Sequence, residues 1–107
     1  MPDTYCVILT TAGNPEEANR LSELLVSRRL AACVQVSNIQ SCYLWKGKIV
    51  NEPEHLLLIK TMAYLYHEVE KAIVENHSYE IPEIVLLPIS QGLDRYLGWV
   101  EENTRQE

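Results

Sequence analysis

The sequence predicts an α+β fold whose elements run β-α-β-β-α-β and close on a third helix. Three observations point there. Short apolar runs alternate with stretches of helical periodicity, two long strand patterns stand back to back in the middle, and no linker, repeat or low-complexity segment divides residues 1–107. A chain of 107 residues with 47% hydrophobic content can bury its own core, so the whole reads as a single domain.

Thr4 to Thr11 is the first strand, with Tyr5-Cys6-Val7-Ile8-Leu9 a run of the buried kind. Ala12-Gly13 turns the chain. Asn14 suits a helix cap, Pro15 the first helical position, and Glu16 and Glu17 the positive end of the helix dipole. Ala18, Leu21, Leu24 and Leu25 form an apolar face, with Arg28 and Arg29 at the C-terminal end. A second helix runs from about Ala63 to Asn76 and buries Leu65, Val69, Ala72 and Ile73. Ile81-Pro82 breaks the chain before a fourth strand, Glu83 to Pro88. From Leu93 to about Asn103 a third helix turns Leu93, Tyr96, Leu97 and Val100 inward. Right-handed crossovers then leave the ferredoxin-like split βαβ arrangement as the main topology, with both long helices on one sheet face and the other face uncovered.

The stretch between the first two helices sets the expectation for assembly. Ala31 to Trp45 and Lys48 to Thr61 read as two strands joined at Lys46-Gly47, where glycine supplies the positive φ of a hairpin turn. Pro53 in the return limb cannot donate to a ladder, which implies a bulge or an edge position. Each limb spans on the order of 45 Å at about 3.3 Å per residue. A compact chain of this size is only about 33 Å across. The tip, with Tyr43, Leu44, Trp45, Ile49 and Val50, therefore overshoots the body and needs cover. A closed oligomer in which each tip meets a neighbour supplies it; the alternative is a hairpin broken by bulges near Ser37-Asn38 and Pro53 and folded back on itself.

A formal net charge of −6 with scattered basic residues argues against nucleic acid, which needs cations to displace phosphate counterions. No apolar stretch approaches the 18 residues of a membrane span. Met1-Pro2-Asp3 does not open a signal peptide, and three cysteines without framework spacing fit a reducing compartment, so a cytoplasmic protein is expected.

No P-loop, dinucleotide fingerprint, nucleophile elbow or zinc-ligand spacing is present, and no enzyme is expected. Cys6 sits in a core strand. Cys33 and Cys42 lie nine positions apart on one strand and point to opposite faces, so they cannot share a metal within one chain. His67 faces solvent, His77 ends the second helix where the dipole favours a cation, and His55 stands on an acidic edge beside Glu52 and Glu54. Lys60, Tyr79 and Glu83 border apolar segments. Converging beside Trp45 or Trp99 they would form a cleft for a small anion or zwitterion; otherwise they make a structural ion pair with aromatic packing.

Several fragments, in this order and spacing, resemble the CutA family of divalent-cation tolerance proteins. They are Leu30-Ala31-Ala32-Cys33, Tyr43-Leu44-Trp45-Lys46-Gly47-Lys48, Leu58-Ile59-Lys60-Thr61, His77-Ser78-Tyr79-Glu80-Ile81-Pro82-Glu83-Ile84 and Tyr96-Leu97-Gly98-Trp99. The resemblance implies a ferredoxin-like homotrimer whose hairpins wrap adjacent subunits. It implies a role in tolerance or binding of copper or another divalent cation, and otherwise no cofactor. The alternative it implies is a sensor like the PII signalling proteins, holding a small anionic ligand or a partner in a cleft between subunits. Carried over by position, the cleft residues are Tyr43, Trp45, Glu54, Lys60, Tyr79, Glu83 and Trp99, with Cys33 as the metal candidate. Thr10 and Ile73 stand where some members carry further cysteines, which weakens a thiolate cage for soft copper.

Overall fold

The computed structural model of the chain describes residues 4–106, so the reading of Met1-Pro2-Asp3 lies outside the described residues. The elements are β1 (Tyr5–Ala12), α1 (Pro15–Ser27), β2 (Cys33–Trp45), β3 (Lys48–Met62), a 3-10 turn (Ala63–Leu65), α2 (Tyr66–Asn76), β4 (Ile84–Pro88) and α3 (Asp94–Glu102). The strands pair antiparallel in one sheet of order β2-β3-β1-β4.

Local chemistry sets the boundaries of α1. Asn14 Oδ1 accepts from the Glu17 amide at 2.8 Å, and Pro15 fills the first turn. At the other end the Leu30 amide bonds the Leu25 carbonyl and the Arg29 amide that of Val26, a Schellman closure. Arg29 takes the left-handed position usually given to glycine, at φ 58°. Its guanidinium compensates by bonding the Glu102 carbonyl at 2.8 Å.

Alternation divides the sheet. Cys6 and Ile8 of β1 and Leu57 and Ile59 of β3 face α1 and α2 and meet Leu21, Leu25, Val69 and Ile73, all fully buried. Each such side chain contributes roughly 1.5–3 kcal/mol by leaving water. The opposite face carries Leu9, Leu58, Val85 and Leu87 in register, with only α3 at one end of it. Val100 of α3 is buried as expected, but Leu93 is 72% exposed and Tyr96 is exposed too. The helix is short and packs by its later turn, so its first turn stands clear of the sheet.

The hairpin is longer and straighter than its proline suggested. The register is unbroken from Cys33↔Lys60 to Trp45↔Lys48, so there is no bulge at Pro53 or near Ser37-Asn38, and the folded-back alternative falls away. Pro53 is accommodated at an edge. The Lys60 carbonyl bonds β2 through the Ala32 amide, so even-numbered residues of β3 address β2 and odd-numbered ones the other side. β1 accompanies β3 only as far as Ala12↔His55, so the amide that Pro53 lacks would point at an empty edge. Lys46 and Gly47 close the tip at φ 51° and 80°. The resulting extents are 44 × 25 × 21 Å, with Leu44 and Ile49 each 71% exposed at the far end.

Leu57→Ala should lower stability by about 2–5 kcal/mol in urea unfolding, because the helices cannot collapse onto the gap. Ile49 is 71% exposed at the tip of the single chain, so any loss of stability in Ile49→Ala beyond about 0.5 kcal/mol should come from contacts with another copy and depend on protein concentration.

Candidate functional site

Where the free ribbon leaves the body, the open face of the sheet and the segment 77–83 enclose an open cleft of about 460 Å³. Tyr43, Trp45 and Tyr79 provide its aromatic walls, Glu52, Glu54, Glu80 and Glu83 its carboxylates, and Thr11 and Ile81 the remainder. Strand alternation puts Thr11, Tyr43, Trp45, Glu52 and Glu54 on one face: Thr11 pairs with Leu56, two positions beyond Glu54, and Glu52 and Glu54 pair with Ser41 and Ile39, which alternate with Tyr43 and Trp45.

The segment that carries Tyr79 is clamped from below. Glu17, whose side chain is almost wholly buried, accepts the Ser78 amide at 2.7 Å, the Ser78 hydroxyl at 3.1 Å and the Gly13 amide at 3.4 Å. Burial pushes this carboxyl up, but the two Ser78 bonds, the nearby His77 and the Gly13 amide outweigh it and hold it below the usual range. His77 ends α2 as expected, and its ring is buried. Its Nε2 lies 2.6 Å from the Thr11 carbonyl, and its Nδ1 accepts the Tyr79 amide at 3.0 Å. A carbonyl only accepts and an amide only donates, so Nε2 carries the hydrogen.

Tyr79 rests on the His77 ring at 4.7 Å and donates its hydroxyl to Glu54 Oε2 at 2.8 Å. A Cβ on Gly13 would sit 3.0 Å from the Tyr79 hydroxyl, so a side chain here would press on the end of that ring. Tyr43 donates to Glu52. That bond, with partial desolvation and the charges of Glu52 and Glu54, pushes its phenol up to about 12. Burial raises Tyr79 further, helped by the bond to Glu54 and the same carboxylates. Both rings are therefore neutral donors at ordinary pH.

Of the residues singled out from sequence, Tyr43, Trp45, Glu54, Tyr79 and Glu83 meet in this cleft. Lys60, Trp99 and Cys33 do not. Lys60 shares the open face but lies six residues up β3, roughly 20 Å away. There its ammonium donates to Gln35 Oε1 at 2.7 Å and stands 5.9 Å from the Tyr96 ring, which stacks on Trp99. Cys33 faces Lys60 across the β2–β3 pair. The charged residues that line the cleft are thus all acidic. Among the described residues no three His, Cys, Asp or Glu side chains gather closely enough to hold a metal ion. Glu17 and Ser78 escaped sequence reading as parts of a site, since 61 positions separate them and only the fold joins them.

Residues 6–103 match the family model described as CutA1 divalent ion tolerance protein. The chain is 41% identical over 99 residues to the divalent-cation tolerance protein CutA of Thermus thermophilus, covering 92% of this chain and 96% of that protein. It is 40% identical over 100 residues to the chloroplastic protein CutA of Arabidopsis thaliana, again covering 92% of this chain. It spans only 55% of that plant relative's length. The crystal structure of CutA1 from Oryza sativa superposes with a TM-score of 0.93 at 37% identity, over 97% of this chain and 96% of the other.

Glu17→Gln should cost about 1.5–3 kcal/mol of stability at neutral pH, the range of hydrogen bonds to a charged group. The folded carboxyl lies below its ordinary value of 4.5, so the contribution is complete above that pH and fades as pH falls through the folded value. Thermal unfolding of parent and variant should therefore differ at pH 7 and converge in strong acid.

Proposed function

The chain belongs to the CutA1 divalent ion tolerance family, and from that premise we propose that it is a non-enzymatic cytoplasmic protein acting as a homotrimer in tolerance of divalent metal ions, copper included. The observation that carries the assembly is apolar surface left without cover. Val85 and Leu87 are 44% and 49% exposed on the open sheet face, and the ribbon extends Tyr43, Leu44, Trp45 and Ile49 beyond the body. A monomer seldom exposes so continuous a patch. The strand order β2-β3-β1-β4, with α1 and α2 on one face, is what the ferredoxin-like split βαβ reading requires, and it leaves the other face for neighbours. Copies closing on that face would bring the Lys60, Tyr96 and Trp99 group of one chain towards the acidic cleft of another.

The residues of one chain do not fit a copper cage. Cys33 has a cation opposite it across the strands, and no three His, Cys, Asp or Glu side chains gather to hold a metal among the described residues. Soft-metal binding through Cys33 is then a property of the assembly, with thiolates contributed by more than one copy. The compartment is supported by three cysteines that are all free.

Sedimentation should give three times the 12.3 kDa chain mass at micromolar concentration, and Leu87→Asp should shift it towards the single chain. A parent protein that sediments as one chain would overturn the assembly. Titration of the intact protein with Cu²⁺ should saturate, and Cys33→Ala should lose that saturation; equal binding by the variant would remove Cys33 from the metal reading.

A further inference from the structure

We propose that His77 is an acid-sensitive latch on the segment that carries Tyr79: the neutral ring holds the Tyr79 amide, and the charged ring releases it. Every part lies within one chain, so the latch needs neither the assembly nor the metal reading above. The His77 side chain has no solvent exposure, and both ring nitrogens are committed. Nε2 donates to the Thr11 carbonyl at 2.6 Å, and the bare Nδ1 accepts the Tyr79 amide at 3.0 Å. Histidine is the side chain whose charge ordinarily changes between about pH 5 and 8. A second proton can go only to Nδ1, and an imidazolium has two donors and no acceptor. Two N–H groups then face each other, and the bond to Tyr79 is lost.

A replacement acceptor already stands close by. Glu17 Oε2 lies 3.8 Å from Nδ1, and Glu17 is itself almost wholly buried, so the new charge meets the counter-ion that a buried charge requires. The proton therefore exchanges one partner of Nδ1 for another. The other groups around the ring leave that exchange open. From α1, Arg20 stands 3.6 Å from the same carboxylate oxygen but is half exposed, where solvent screens it. β3 adds His55, which pairs with Ala12 beside Thr11, and Glu54, joined to the segment through the Tyr79 hydroxyl. Release is local. Glu17 keeps the Ser78 amide at 2.7 Å, and Arg20 keeps the Asn76 carbonyl at 2.8 Å, since neither bond uses the ring. What comes free is the Tyr79 amide, and with it the aromatic ring 4.7 Å from the imidazole and its hydroxyl's hold on Glu54.

The test is an NMR titration of the unaltered, ¹⁵N-labelled chain from about pH 7.5 to about pH 5. The His77 nitrogens should pass from one protonated and one bare to both protonated. Over the same span the Tyr79 amide should lose roughly tenfold of its protection against hydrogen exchange, about the worth of one hydrogen bond, while the Ser78 amide keeps its own. His77→Gln offers a donor and an acceptor but takes no proton, so its Tyr79 protection should not change with pH. Glu17→Gln should move protonation of the ring to lower pH. A bare Nδ1 at the acid end of the titration, protonation with Tyr79 protection unchanged, or the same loss in folded His77→Gln would each overturn the latch. So would unshifted protonation in folded Glu17→Gln. The measurement on the unaltered chain decides the matter whether or not either variant folds, and none of these outcomes depends on whether Cu²⁺ binds or how the chain sediments.

Discussion

The unbroken pairing of β2 with β3 is the constraint from which the rest of the molecule follows. Thirteen consecutive cross-strand pairs hold the ribbon straight, while β1 accompanies it for only part of that length. The remainder has no third strand and no helix over it. Every backbone group in the paired row is satisfied, so the ribbon can leave the body without losing its ladder, but its side chains cannot be buried by its own chain. Exposed apolar tips and a cleft at the ribbon's root are results of that mismatch in strand length, while the open sheet face follows from α1 and α2 packing on the other side.

The cleft depends on a second, smaller device. Glu17 belongs to the first turn of α1, yet its carboxylate is spent on the segment after α2. Through Ser78 and the His77 ring, the position of Tyr79 is tied to the first helix and to the end of β1. A loop that would otherwise be held only by its ends is thereby fixed at three points. The aromatic wall it carries is correspondingly well placed against Glu54.

Much of this was legible in the residues. Asn14-Pro15, the Lys46-Gly47 turn and the spacing of Leu21, Leu25, Val69 and Ile73 are local signals, and each element appears where they put it. The overshoot followed from strand length alone. Pro53 was ambiguous, because a missing amide can be accommodated by a bulge or by an edge, and only the end point of β1 decides between them. The site was half legible. Tyr43, Trp45 and Glu54 lie on one ribbon face by alternation, but nothing local distinguishes Lys60, on that same face, from a cleft residue. Whether His77 meets water or the Thr11 carbonyl is decided by packing between segments 66 positions apart, which no local pattern reports.

Pro53 has one consequence for the life of the chain before it meets its neighbours. The outward row of β3 beyond His55 offers a short stretch of bare backbone, the kind of surface on which strands stack without limit. A pyrrolidine nitrogen at the inner end of that row, where β1 stops, removes the first donor an incoming strand would meet and shortens the seam it could follow. A newly made chain is thus guarded against fibrous growth along that margin while its side-chain surfaces stay open to the intended mates.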